Sequence, residues 1–159
     1  MAEQTIPARR QPIPAWLIKT IWAMHRAAYS VTRGRFGLRQ PTTSQWGTLR
    51  LHTIGRRSGR GRVAIVGFIE DGANLVSPAM NGWLQPEPAW WLNLQASPNA
   101  TVELPGGGRR EVTARAADSA ERDRLWRTLV DLGTSAYTDA NATLRSRETT
   151  IVVFEPSGA

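Results

Sequence analysis

Apolar and polar side chains alternate along the middle of the chain, a pattern typical of β-strands. In residues 48–55, TLRLHTIG, the two leucines fall on one face and polar side chains on the other, which predicts a half-buried strand. Residues 62–70 are rich in Val, Ile and Phe, and a similar run returns at 73–80 after the hairpin signal Asp71-Gly72. These segments predict three consecutive antiparallel strands.

A second hairpin and a closing strand are predicted further along. Residues 100–105 and 109–117 both have strand-like patterns, and three consecutive glycines separate them. Residues 149–156, TTIVVFEP, have the apolar, β-branched composition of a further strand. The region between the two predicted hairpins is irregular or helical.

Two helices complete the prediction. Asp118 and Glu121 have the spacing of a capping box, and Gly133 stands where the helix that follows should end. The predicted buried stripe of this helix comprises Leu125, Trp126, Leu129 and Leu132. Residues 13–29 carry apolar side chains at helical spacing, with Pro14 suited to the first turn.

Antiparallel hairpins with few helices favour a small closed or split barrel over a parallel α/β sheet. The predicted class is therefore mainly β (α+β): a closed or split β-barrel of antiparallel strands, with an N-terminal helix and a helix before the last strand. We expect residues 1–41 to form the N-terminal helix and a linker, and residues 42–159 to form the barrel domain.

The segment 13–29 is too short and too charged for a membrane span, because Lys19, His25 and Arg26 lie within it. Two interpretations remain open. The helix packs on the domain, or it lies at a membrane surface with its tryptophans and basic flanks in contact with lipid. The segment also lacks the cleavage site of a secretory signal, so we expect a cytoplasmic protein, with peripheral contact at the inner face of the cell membrane as the open alternative.

The composition of the chain excludes some kinds of site and favours one kind of partner. The chain has 159 residues, a formal net charge of +7 and no cysteine, which excludes disulfides, thiolate metal sites and cysteine nucleophiles. Residues 1–69 hold twelve basic residues against one acid, whereas residues 70–159 hold eight against twelve. This asymmetry favours an anionic partner on the N-terminal half. We expect no nucleic acid, because no recognition motif accompanies the arginines, and no metal, because the two histidines are isolated.

The segment GRRSGRGR, residues 55–62, is the strongest candidate for a binding site. Its glycines permit unusual backbone angles, so its N–H groups could converge on an anion, and four arginines supply forked donors. Phosphate or carboxylate suits such a loop. The plainer interpretation is a solvated basic hairpin tip.

A second candidate is PAWWLNLQASPNA, residues 88–100. Trp90 and Trp91 stand in an apolar run whose odd polar member is Asn93. The simplest interpretation is a core helical turn opened by Pro88, although a planar cofactor could also stack there.

Taken in order, these motifs resemble the deazaflavin-dependent nitroreductase family, split-barrel oxidoreductases that use coenzyme F420. The resemblance rests on G-R-[KR]-S-G-x-x-R at 55–62 and W-x-L-N-L-x-A-x-P at 90–98, and it extends from about Leu49 to Pro156. It implies hydride transfer from the reduced coenzyme to an activated small-molecule acceptor such as a quinone, an enone or a nitroaromatic. The coenzyme carries a phosphate and an oligoglutamate tail, which agrees with the basic loop.

The resemblance also implies which residues hold the coenzyme. The loop residues for the phosphate side are Arg56, Arg57, Ser58, Gly59 and Arg62. The strand after the loop would pass beneath the deazaflavin ring through Ala64, Ile65 and Val66. A further gripping turn corresponds to Ala79, Met80, Asn81 and Gly82, and Asn93 is expected to make a polar contact near the coenzyme or a structural bond.

The chain departs from the family pattern at two places. Met80 stands where a hydroxyl is usual and Asn81 where a base is usual, which removes one donor and one charge. Relatives commonly place two or three tyrosines before the final strand, whereas this chain has only Tyr137, and we expect the proton for the acceptor to come from Tyr137 or from solvent. Alternatives therefore stay open: an FMN- or haem-binding split barrel, or a non-catalytic module that binds the coenzyme or a lipid at a membrane. A homodimer is also compatible with the resemblance.

Overall fold

A computed structural model describes residue 20 and residues 38–80, 86–132 and 148–158. Apart from Thr20, the predicted helix over 13–29 lies outside the described residues, as do Asn81, Gly82 and Tyr137. The described elements are the strands β1 (Gly47–Ile54), β2 (Gly61–Asp71), β3 (Asn74–Pro78), β4 (Asn99–Glu103), β5 (Arg109–Ala116) and β6 (Ile151–Pro156), and the helices α1 (Ala89–Ala96) and α2 (Ser119–Leu132).

The six strands form a closed barrel in the order β1-β2-β3-β6-β5-β4, and every neighbouring pair is antiparallel. Each half of the barrel is a run of strands consecutive in sequence, β1 to β3 and β4 to β6. The halves meet where β3 pairs with β6 and where β1 pairs with β4. This architecture confirms the predicted antiparallel barrel with a helix before the last strand.

The turns follow the sequence signals. Asp71 pairs with Asn74 across the first hairpin, and Gly72 has a φ of 62°, a left-handed angle that glycine adopts without strain. In the second hairpin, Gly106 and Gly107 have φ of 87° and 89°. The glycine-rich stretches are therefore hairpin turns, as predicted.

Alternate residues of the strands fill the barrel interior. Leu49 and Leu51 of β1 are fully buried there, which confirms the face predicted from their spacing. Helix α1 contributes its two tryptophans to the same core. Trp90 packs edge-on against Trp91, with ring centroids 6.5 Å apart. The ring of Trp90 also lies beside that of Phe154 of β6, with centroids 6.3 Å apart. Since both indoles are more than nine-tenths buried, the core interpretation of this helix is confirmed, and neither ring is open for a cofactor to stack on.

A second, smaller core lies between the outside of the barrel and α2. Leu125 and Leu129 of the helix are buried against outward-facing apolar residues of β2, β3 and β6. Trp46 joins this layer and donates its Nε1–H to the carbonyl of Leu129 at 2.8 Å. Its ring lies against Gly67 of β2, where an added Cβ would come within 3.1 Å of the indole. Trp46 thus ties the start of β1 to the helix.

Ionic contacts fix the start of α2. The side chain of Asp118 accepts the N–H of Glu121 at 2.9 Å, which confirms the predicted cap. The Glu121 carboxylate takes two hydrogen bonds from Arg115 of β5, and these lower the pKa of Glu121. Further along the helix, Arg124 binds both carboxylate oxygens of Asp71 at 2.8 Å.

Neither described helix has the length and hydropathy needed to cross a bilayer.

Candidate functional site

The loop between β1 and β2 forms a tight turn closed by its own backbone. The N–H of Gly55 donates to the carbonyl of Arg60 at 2.8 Å, and the Gly55 carbonyl accepts the N–H groups of Ser58 at 3.1 Å and Gly59 at 2.8 Å. Gly59 has a φ of 65°, so a side chain there would strain the turn. The glycines of this segment therefore shape the turn.

The expectation that backbone N–H groups converge on an anion is wrong for most of the loop. The amide groups of Gly55, Ser58 and Gly59 are used within the turn. The N–H of Arg56 donates to the side-chain oxygen of Asn93 at 3.2 Å, and that of Arg60 lies 3.4 Å from the Ser58 hydroxyl. Because these donors already have acceptors, anion binding at this loop depends on its arginine side chains.

The four arginines of the loop have exposed side chains and no acidic partner among the described residues. The contacts that do form are neutral: Arg56 Nη1 lies 3.4 Å from Asn93 Oδ1, and Arg62 Nη2 lies 3.3 Å from the hydroxyl of Ser58. Elsewhere in the described fold, Arg115 and Arg124 are paired with carboxylates. Within the part of the chain that the structure describes, the loop is therefore a concentrated positive charge with no acid paired to it, suited to phosphate or carboxylate groups.

Asn93 connects this loop to α1. It is only 5% exposed, and it donates its Nδ2–H to the hydroxyl of Thr53 at 3.2 Å while its Oδ1 accepts both contacts from Arg56. Of the two roles expected for Asn93, the structure shows the structural bond. Sequence spacing alone gave no sign of Thr53 or Arg56 as its partners.

The strand after the loop presents its side chains on alternate faces. Ala64 and Val66 pack in or against the barrel core, so only their backbone is open to a ligand. The side chains of Val63 and Ile65 face outward, and Val63 is 44% exposed. With Ile54 at the end of β1, which is 48% exposed, they form a shallow apolar surface beside the cationic loop. Such a surface is suited to a planar ring.

A cluster that the sequence did not reveal lies next to this surface. Glu103 of β4 lies within ion-pair distance of Arg50 at 3.1 Å, of His52 at 3.3 Å and of Arg109 at 3.4 Å. Partial burial raises the pKa of the Glu103 carboxyl, but the nearby Arg50 and His52 and the hydrogen bond from Arg50 outweigh it and leave the pKa below its ordinary value. The register of β1 against β4 brings these groups together, and the sequence gives no signal of it.

The predicted gripping turn is described only in part. Ala79 is fully buried in the core, and its N–H donates to the carbonyl of Thr150 at 2.8 Å, so it offers a ligand neither side chain nor amide. Met80 is half-buried. Asn81 and Gly82, like Tyr137, lie outside the described residues, and their roles stay predictions.

The family match and a similar curated protein carry the same description. Residues 22–156 match the family described as F420H(2)-dependent quinone reductase. An F420H(2)-dependent quinone reductase of Mycobacterium tuberculosis is 30% identical over 118 residues, which cover 73% of this chain and 77% of the relative.

Two solved structures share the fold. One, named an F420-H2 dependent reductase, has a TM-score of 0.61 at 23% identity and covers 74% of this chain and 96% of its own. The other, described as a domain-swapped dimer, has a TM-score of 0.62 at 22% identity and covers 86% and 99%.

Proposed function

The chain belongs to the F420H(2)-dependent quinone reductase family, and we propose that its acceptor is a quinone-type small molecule that receives a hydride from reduced coenzyme F420. The chain is accordingly an F420H2-dependent oxidoreductase. The resemblance in its motifs and the family match lead to the same coenzyme. Which residues hold it, and which acceptor it serves, are the finer parts of the proposal.

The observation that carries the proposal is the uncompensated charge of the loop. Coenzyme F420 is anionic at its phosphate and its glutamate tail, and none of the four loop arginines has an acidic partner among the described residues, since the partners of Arg56 and Arg62 are neutral. A basic surface with structural duties alone would be expected to pair with the acids that are plentiful in residues 70–159. The donor set therefore fits the coenzyme.

We assign the anionic end of the coenzyme to the side chains of Arg57 and Arg62, with Ser58 between them and with Arg56 held close by. Arg62 already contacts the Ser58 hydroxyl at 3.3 Å within this turn. The outward face of residues 63–67 would support the ring: Ile65 through its side chain, and Ala64 and Val66 through their backbone. Ala79 would support this end of the site only by packing, and Met80, Asn81 and Gly82 remain proposed contacts.

When bound, the reduced coenzyme supplies the hydride. The chain's part is to bind the anionic end, to orient the ring against β2 and to deliver a proton to the acceptor oxygen. We propose Tyr137 for the proton, since it is the sole tyrosine of the segment in which relatives carry several.

The test is a fluorescence titration of the full chain with coenzyme F420 at moderate salt. Loss of one charge-assisted contact should weaken binding about 10- to 100-fold in Arg57→Ala and in Arg62→Ala. The control, Arg127→Ala, removes an exposed arginine of α2 and should bind as the wild type does. No binding by the wild type at tens of micromolar, as an order of magnitude, would overturn the assignment.

Further measurements separate the alternatives. An absorption spectrum of the purified protein distinguishes bound FMN or haem, the less favoured cofactors, from an empty or F420-binding site. Steady-state reduction of quinone, enone and nitroaromatic acceptors ranks the substrate classes, and we expect the quinone first.

Assembly and location are also proposals. Because one structural neighbour is described as a domain-swapped dimer, we propose that this chain forms homodimers, which light scattering would report as twice the monomer mass of 17.6 kDa. We propose a cytoplasmic location, with residues 13–29 as the site of any peripheral membrane contact. Co-sedimentation of the full chain with anionic liposomes tests that contact.

A further inference from the structure

The way Arg56 is held differs from the way other arginines are held in this fold. Arg115 and Arg124 connect strands to α2, and each does so through a carboxylate that cancels its charge. Arg56 connects the loop to α1 through an uncharged amide oxygen. The joint is therefore secured without loss of positive charge at the loop.

Both polar atoms of the Asn93 side chain take part in this joint. Its amide nitrogen donates to Thr53 at the end of β1, and its oxygen accepts from the backbone and the guanidinium of Arg56. It is 5% exposed and stands in a helix anchored by the buried side chains of Trp91 and Leu94. A group so buried and so well bonded holds a fixed position, and it fixes Arg56, the second residue of the loop, with it.

We propose that Asn93 is a positioning residue that clamps Arg56 while leaving the loop's full positive charge available to the anionic part of the coenzyme. The inference rests on the proposed function. It goes beyond it by assigning to Asn93 a requirement for neutrality: an acceptor is needed at this place, and a charged acceptor would be harmful.

Asn93→Asp tests neutrality with little change of shape. The carboxylate keeps an oxygen for the Arg56 donors, and the Thr53 hydroxyl can turn to donate where it now accepts. The new charge lies beside Arg56 and cancels it, so the variant removes one cation from the loop without removing the clamp. Its fold should hold, since it replaces a neutral hydrogen bond by an ion pair.

The control is Gln45→Glu, which makes the same change of formal charge at an exposed residue. It precedes β1, whereas the loop follows β1, and the 8 residues of that strand span roughly 25 Å. At that distance, more than twice the Debye length at moderate salt, the added charge is screened from the loop.

The experiment titrates coenzyme F420 into the wild type, Asn93→Asp and Gln45→Glu at moderate and at high salt, with circular dichroism and thermal melting on each. We expect Asn93→Asp to bind about 10- to 100-fold more weakly at moderate salt. The gap should narrow at high salt, and the melting temperature should match or exceed that of the wild type. Gln45→Glu should bind within twofold of the wild type.

Arg56→Gln and the double variant complete the test. Arg56→Gln removes the same charge, so it should lose as much affinity as Asn93→Asp, and combining the two should add almost nothing. If Asn93→Asp does not fold, the affinity of Arg56→Gln for coenzyme F420 tests the inference by itself. An affinity equal to that of the wild type would then overturn it. Equal binding by a folded Asn93→Asp also overturns it while the proposed function stands. Absence of binding by the wild type overturns both.

Discussion

Replacement of Arg115 by methionine should destabilise the contact between the barrel and α2 in a way that depends on pH. The guanidinium of Arg115 binds Glu121 at the start of α2 with distances of 2.6 and 3.0 Å, and it binds Glu155 of β6 at 2.7 Å. One side chain thus joins β5, β6 and the helix. Methionine keeps most of the apolar stem and removes only the charged head.

The expected loss follows from exposure and geometry. The bidentate pair with Glu121 belongs at the upper end of the range for surface ion pairs, because the Glu121 side chain is only 18% exposed. The pair with Glu155 is weaker, since that side chain is 44% exposed and more strongly screened by water. Together we expect a loss of about 1.5 kcal/mol in the free energy of unfolding at pH 7.

The stability difference between the wild type and Arg115→Met should become smaller as the pH falls. Hydrogen bonds from Arg115 are the largest cause of the lowered pKa of Glu121, whose ordinary value is 4.5. A lowered pKa in the folded state contributes stability above the unfolded pKa, and that contribution is lost as the pH falls through the folded value. Urea unfolding at pH 7 and near pH 3 should therefore show the gap between wild type and Arg115→Met shrinking in acid. An equal gap at both pH values would refute the electrostatic reasoning and point to packing instead.

Three further predictions concern stability. Leu129→Ala should cost about 3 kcal/mol, because this fully buried side chain fills the layer between α2 and the barrel, and urea unfolding would measure it. Trp46→Phe should cost about 1 kcal/mol through loss of the hydrogen bond to the Leu129 carbonyl, seen as a lower melting temperature; no change would mean that water replaces the bond fully. Gly107→Ala should cost roughly 1–2 kcal/mol, because Gly107 has a φ of 89°. Gly108→Ala, at an ordinary φ with no atom near the new Cβ, should leave the melting temperature unchanged, and equal losses in both would contradict the argument from φ.

Local patterns were enough to predict most of the fold. The leucines of β1 alternate with polar residues, so the buried face could be assigned from spacing alone, and the glycines at 72 and 106–107 marked turns that require left-handed angles. The cap of α2 could also be predicted, because the hydrogen bond from the Glu121 N–H to the Asp118 side chain joins residues only three positions apart. These features depend on neighbours in sequence, which is why the sequence reveals them.

The contacts that build the candidate site are of another kind. The bond between Asn93 and Arg56 joins residues 37 positions apart, and Arg50 meets Glu103 across 53. The first depends on where α1 packs beside the loop and the second on the register of β1 with β4, and no short pattern encodes either. The sequence identifies the loop's arginines as candidate anion ligands. It does not reveal that hydrogen bonds within the turn already use the backbone amides that could otherwise bind an anion.

The place of β6 in the barrel has a consequence for how the chain folds. Among the described strands, β6 alone pairs with both β3 and β5, and four consecutive residues of it, Ile151 to Phe154, are buried. Until it arrives, both neighbours carry unpaired edges that can recruit strands from other molecules. Because β6 follows the other five strands in the chain, the ribosome makes it last, and the edges of β3 and β5 stay unpaired until then. Closure of the barrel is thus a late event, and assembly errors at that stage would exchange β6 between copies of the chain.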